Sequence, residues 1–183
     1  MSHIDVSVAL DAAAPDAHHH LVTRRTGAVV RTVIERQIAA LADGSVAILD
    51  FSQIGVLDRS CADEFVAKLV LPMTTERPSR ESYVVLVGVN EGHLDAIEAV
   101  LETHGLALVV RFDDGVTHLV GTVSALERQL WECVMTRAGA AVEEAAEAVG
   151  LALEEAQATL EMLVRRRLLR RLDDAFAPLG APA

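Results

Sequence analysis

Aromatic side chains are scarce in this sequence: one Trp, one Tyr and four Phe among 183 residues. Proteins that hold single-stranded nucleic acid stack bases on aromatic rings, and that mode has little to work with here. Only two cysteines occur, Cys61 and Cys133, far apart in the chain. They offer neither a disulfide framework nor a CxxC metal pair, which fits reduced thiols. No apolar run approaches the ~18 residues of a membrane span, and no charged-then-apolar leader opens the chain. The expectation is a cytoplasmic protein with no membrane partner. Positive charge is short as well: the formal net charge is −11, which argues against non-specific coating of DNA or anionic lipid. A phosphate-binding glycine loop, zinc-ligand spacing and a GxSxG elbow are all missing. No cofactor, metal site or catalytic residue is therefore expected.

What the chain does have is aliphatic bulk. Hydrophobic residues make up 51% of it, enough for a sizeable core of Val, Leu, Ile and Ala. His3 to Leu10 alternates apolar and polar residues and reads as a half-buried strand. Ala12 to Asp16 reads as a loop. His18, His19 and His20 follow in a run whose side chains diverge, so a solvated segment is expected rather than a metal site. After Thr26, Val30, Val33, Ile34, Ile38 and Leu41 recur at helical spacing, and Asp43-Gly44 stops the pattern. Val46–Leu49 and Val84–Val87 are unbroken apolar runs, as in neighbouring central strands of one sheet. Between them, Asp58 opens a helix with Ala62, Phe65, Val66, Leu69 and Val70 inward, closed by Pro72. Thr74 to Ser82 reads as an exposed loop. His93 to Thr103 is a helix, and Leu106–Phe112 and Val116–Val120 form a hairpin over Asp113-Asp114-Gly115. The sum is an α/β domain with a mixed sheet and helices, over residues 1–121.

From Ser124 the pattern turns helical. Leu126, Leu130, Cys133 and Val134 face inward in a first helix, with Trp131 on its flank. Val142–Val149 is a second helix, and Leu153, Ala156, Leu160, Leu163 and Val164 line a third. Leu168–Leu172 and Phe176 close the unit as a small hairpin bent at Asp173-Asp174. This order suggests a small, otherwise all-helical module of the winged helix-turn-helix kind over residues 122–183.

The richest stretch for function runs from Ile48 to Phe65. A buried strand ends in Asp50-Phe51-Ser52, a short apolar loop follows, and Asp58-Arg59-Ser60-Cys61 starts a helix. This resembles the STAS domain of anti-sigma-factor antagonists, whose signature is a strand, Asp-x-Ser, a loop, then Asp-Ser-Ser-Gly at a helix start. It is similar also to a STAS-like family of unknown function, through Thr23-Arg24-Arg25-Thr26-Gly27 and Ala62-Asp63-Glu64. The resemblance spans roughly residues 20 to 110. It implies a domain that binds a protein partner, such as a kinase or an anti-sigma-like protein, and a phosphoacceptor at Ser60. Arg59 stands where the pattern has its first Ser, and Cys61 where it has Gly. Read without the resemblance, Asp58 or Ser60 caps the helix, and Ser60 to Asp63 has capping-box spacing.

The expected partner-binding face is Gln53, Ile54, Val56, Leu57, Asp58, Arg59 and Ser60: this loop is too apolar for one that only meets water, some of its apolar residues must pack on the core, and the exposed remainder beside a helix start suits an interface. Asp63 and Glu64, being adjacent, point to different sides of a helix and are expected to cap and solvate rather than act as an acid–base pair. Cys61 reads as a small buried hydrophobe. In the C-terminal module the third helix opens on Leu153-Glu154-Glu155, acidic where DNA phosphates would approach. Arg165, Arg166, Arg167, Arg170 and Arg171 are the opposing candidates for nucleic-acid contact. The leading expectation is a non-enzymatic regulatory adaptor whose C-terminal module binds protein, a homodimer included. A DNA-binding transcriptional regulator is the alternative.

Overall fold

The computed structural model describes residues 1–74 and 81–179. Most of the loop expected over 74–82 lies outside the described residues. The chain divides into two compact units, one ending at Thr122 and the other starting at Val123. The first is an α/β unit. Its strands are β1 (Ser2–Asp5), β3 (Ser45–Asp50), β5 (Ser82–Val87), β6 (Ala107–Arg111) and β7 (Thr117–Gly121), side by side in that order. The first four are parallel and β7 is antiparallel to β6. A separate short parallel ribbon pairs β2 (His20–Leu21) with β4 (Val56–Leu57).

Strands added one after another in a single direction, through crossovers of the usual right hand, put every crossover helix on the same sheet face. The helices are α1 (Val6–Ala13), α2 (Arg24–Ala39), a helical run of α3 (Arg59–Ala62), a π turn (Asp63–Ala67) and α4 (Lys68–Val70), and α5 (Glu91–His104). One core joins Ala9, Leu10, Ile34, Phe65 and Ile97 of these helices to Ile4, Leu49, Leu86 and Val110 of the sheet. Those four strand residues sit in one register row, Ile4 beside Leu49, Leu49 beside Leu86 and Leu86 beside Val110. Val46–Leu49 and Val84–Leu86 are buried without a break in adjacent strands, the behaviour expected of central strands. Val87 at the end of β5 is half-buried.

The N-terminal strand is shorter than the alternation suggested. His3–Leu10 fits period two, but Val6, Ala9 and Leu10 also lie at helical spacing, and the helix wins after Asp5. Val8 decides it: a strand would bury Val8 with Val6 and Leu10, whereas it is 60% exposed while Val6, Ala9 and Leu10 are fully covered. Asp5 makes the turn by accepting both the backbone N–H and the hydroxyl of Ser7. Helix α2 likewise starts earlier than Thr26. Its cap is Thr23, whose hydroxyl accepts from the Thr26 N–H.

The second unit holds α6 (Ala125–Thr136), α7 (Val142–Val149) and α8 (Leu153–Arg165), with β8 (Ala140–Ala141), β9 (Arg170–Leu172) and β10 (Ala175–Ala177) in the order β8-β10-β9. The unit is therefore not all-helical beyond a hairpin. Ala140-Ala141 carries no β signal of its own, and becomes a strand by pairing with Phe176 and Ala175. Trp131 is buried rather than flanking, with its indole N–H donating to the Leu168 carbonyl at 3.1 Å. Cys133 is only partly covered. A capping box opens α6, where Ser124 and Glu127 exchange hydrogen bonds.

Two glycines separate conformational need from space. Gly105 ends α5 at φ +64° with open space around it, and Gly88 follows β5 at φ +66° with a Cβ position 2.5 Å from the Ser52 backbone nitrogen. Gly105→Ala should cost about 1 kcal/mol, the left-handed penalty alone. Gly88→Ala should cost at least about 3 kcal/mol, because backbone must also move. Urea titration of both variants checks the ranking, and equal losses would contradict it.

Candidate functional site

Two segments distant in sequence meet where α2 and α3 begin. The ribbon β2–β4 lays His20-Leu21 beside Val56-Leu57, and the Asp58 N–H continues it by donating to the Leu21 carbonyl. Asp58 then serves both helices. One carboxylate oxygen accepts the Cys61 N–H at 2.7 Å and the Ser60 hydroxyl at 2.8 Å, and the other accepts the Thr23 N–H at 3.2 Å. Asp58 is the cap. Ser60 is not, and the Ser60–Asp63 capping box does not form, because the Ser60 hydroxyl points back to Asp58. Burial pushes the Asp58 carboxyl upward, but the hydrogen bonds from Cys61, Thr23 and Ser60 outweigh it and hold the group below the ordinary carboxylate range. The loop before α2 is held against its preferences: His18, His19 and Thr23 all have positive φ, a conformation unusual for side chains of this kind.

One turn into the helix, Asp63 and Glu64 form an ion-pair cluster that sequence reading missed. They neither cap nor solvate: their side chains are 19% and 12% exposed. Asp63 accepts from Arg24 of α2 at 2.6 Å and pairs with His104 at the end of α5 at 2.7 Å. Glu64 pairs with Arg31 at 3.3 Å and with Lys68. Bonding from His104, then from Arg24, holds the Asp63 carboxyl low. The signals were there to be read. Arg24 and Arg31 are seven apart, hence on one helix face, and Glu64–Lys68 is an i,i+4 pair. The cluster sits on the π turn, a feature that recurs at functional sites.

The expected partner face divides. Ile54 and Leu57 are core residues, 4% and 5% exposed, because the tight Phe51–Ile54 turn and the β2–β4 pairing aim them inward. Val56, 47% exposed, remains outside with Gln53 and Arg59, while Asp58 and Ser60 are half-buried. Arg59 reaches α5, donating to the Thr103 hydroxyl at 3.2 Å. Cys61 is fully covered, and burial, followed by the charges of Asp58 and Glu64, pushes its thiol up to about 12. A thiol raised so far stays protonated at neutral pH.

In the second unit the five candidate arginines differ in pairing and exposure. Arg166 pairs with Glu127 at 2.5 Å, and Arg171 lies over the Phe176 ring and 3.7 Å from Glu161. Arg167 and Arg170 are half-buried, and Arg165 is exposed. Glu154 and Glu155 stand exposed in the first turn of α8. Among the described residues, no three His, Cys, Asp or Glu side chains are grouped so as to hold a metal ion, and no helix is long and apolar enough to cross a membrane.

Asp58→Ala removes a cap shared by two helices and should destabilise the protein by about 2 kcal/mol at pH 7. The folded-state pKa is depressed, so the contribution is complete above the unfolded value of about 4 and is lost as pH falls through the folded value. Thermal melts at pH 7, 5, 4 and 3 should show the gap between wild type and variant closing on acidification. A gap constant down to pH 3 would contradict the assignment. Comparison of the chain with protein-family models, curated proteins and solved structures finds no match.

Proposed function

We propose that the chain is a non-enzymatic regulatory adaptor. Its first unit is a STAS-like domain that docks a protein partner, a kinase or an anti-sigma-like protein, on the surface around Gln53, Val56, Arg59 and Ser60. Its second unit is a winged-helix-like module used for protein contact, and a cytoplasmic location goes with both. The observation that carries the reading is the triple use of Asp58. The Ser60 hydroxyl shares one carboxylate oxygen with the Cys61 N–H, while the other oxygen holds the Thr23 N–H. A phosphate on Ser60 would remove the donated proton and set a dianion against Asp58. Repulsion would then act on a group whose hydrogen bonds tie the start of α2 to the start of α3. A local charge change becomes a change in the loop 18–23 and in the ribbon that carries Val56.

Two further facts support the family reading. The segments quoted for the resemblance touch: Gly27 packs on Cys61, and Arg24 pairs with Asp63. The non-enzymatic reading is supported by the protonated Cys61 thiol and by carboxylates already engaged with cations. DNA binding by the usual groove-reading helix is disfavoured by exposed Glu154 and Glu155 and by the pairing of Arg166 and Arg171 with Glu127 and Glu161.

Ser60→Asp should weaken partner binding at least ten-fold, whereas Ser60→Ala, which loses one hydrogen bond, should stay within about three-fold. Calorimetry against the partner recovered by pull-down measures this, with circular dichroism melts as the folding control. Equal affinities for wild type and both variants would reduce Ser60 to a structural hydroxyl. In parallel, fluorescence anisotropy with random duplex at ~50 mM salt should show no sub-micromolar binding.

A further inference from the structure

The outward face of α8 carries Glu155, Ala158, Met162 and Arg165, all exposed. Their spacing is three, four, three, the seam of a two-helix coiled coil. Met162 is 42% exposed, a long apolar side chain where a lone helix would carry a polar one. Glu155 and Arg165 enter no ion pair among the described residues, although Arg171, Arg166, Glu161 and Glu127 nearby in the unit all do. The seam thus runs acid, small, large, base over eleven of the thirteen residues of the helix.

That order is its own complement when reversed. We infer that α8 is the homodimer contact of this protein, pairing antiparallel with α8 of a second copy. Around a two-fold axis, Glu155 faces the partner's Arg165 and Ala158 faces the partner's Met162, and each contact occurs twice. The methionine knob fills the space that alanine leaves, and the charges close both ends of the seam. A parallel pair would set Glu155 on Glu155 and Arg165 on Arg165, so charge selects the antiparallel arrangement. A basic foreign partner would satisfy Glu155 but meet Arg165 as a like charge. The second copy satisfies both. The inference rests on reading the second unit as a protein-contact module. It also explains that unit's acidic helix start: Glu155 is half of a salt bridge completed by the partner.

A seam of four residues on each side is small against a standard interface, so the dimer should be weak, with Kd on the order of 10–100 μM. Sedimentation equilibrium of the full chain from ~5 to ~500 μM should show the mass rising from monomer towards dimer. Met162→Glu should remove the association. Glu155→Arg and Arg165→Glu should each weaken it at least ten-fold, and the double variant Glu155→Arg/Arg165→Glu should restore it, because the pair is merely exchanged. All four positions are exposed, so the variants should fold, which circular dichroism verifies. A monomer throughout the range overturns the inference. So does a dimer indifferent to Met162→Glu, or a charge swap that fails to restore. Anisotropy with duplex on the same samples keeps the two readings apart: a monomer that ignores DNA sinks the dimer alone, and tight DNA binding lost in Arg165→Glu sinks the protein-contact reading with it.

Discussion

The carbonyl oxygen of Cys61 occupies the space beside Gly27 so fully that a Cβ there would lie 2.9 Å from it, with Cys61 Sγ at 3.1 Å. Helices α2 and α3 can approach this closely only because one of them has no side chain at the crossing. Everything at the candidate site follows from that approach. It brings the Thr23 N–H within reach of Asp58 and the Arg24 guanidinium within reach of Asp63. A larger residue at 27 would push the helix starts apart. The hydrogen bonds of Asp58 would fail before the sheet noticed, because the strands are held by their own ladder on the other side of the core.

The same closeness explains why so acidic a chain keeps two carboxylates half-buried. A buried charge is costly unless it is paired, and a pair on the surface contributes little. Asp63 and Glu64 lie between these limits, with cationic partners drawn from different helices: Arg24 and His104 for the first, and Arg31, Lys68 and, at 3.8 Å, Arg24 for the second. The value of such a network is in geometry more than in energy. It fixes α2 and α5 against the helical run that starts at Asp58, so a disturbance at that start has few other ways to relax than through the loop before α2.

The sequence made the central sheet legible because parallel strands buried along their length leave unbroken apolar runs, as Val46–Leu49 and Val84–Val87 do. The cap at Asp58 and the C-terminal helices were legible for the same kind of reason, since each rests on a local rule. What was not legible depends on pairing at a distance. The apolar loop Gln53–Leu57 had to pack partly on the core, but which of its residues turn inward is set by the ribbon with His20-Leu21, and two residues of strand leave no periodicity to detect. Ala140-Ala141 is a strand only because β10 offers it an edge. Val6–Leu10 satisfies two periods at once, and only the core chooses between them. The ion-pair cluster needed α2, the π turn and α5 to be placed together, although four of its six members carried a helical spacing that pointed to it.

The departures from the pattern the sequence resembles fall at the contacts where the structure absorbs them. Where that pattern has glycine, this chain has Cys61, whose extra volume would crowd any ordinary residue opposite. The residue opposite is Gly27. With no side chain on Gly27, the two helix starts approach closely despite the volume of Cys61. Where the pattern has its first serine, this chain has Arg59, which is spent neither on Asp58 nor on Ser60 but donates to Thr103 on α5. A positive charge drawn off to α5 does not compete with the Cys61 and Thr23 N–H groups for the Asp58 carboxylate. Both substitutions therefore leave the hydroxyl of Ser60 in the position where adding charge would do most to Asp58, and through Asp58 to α2.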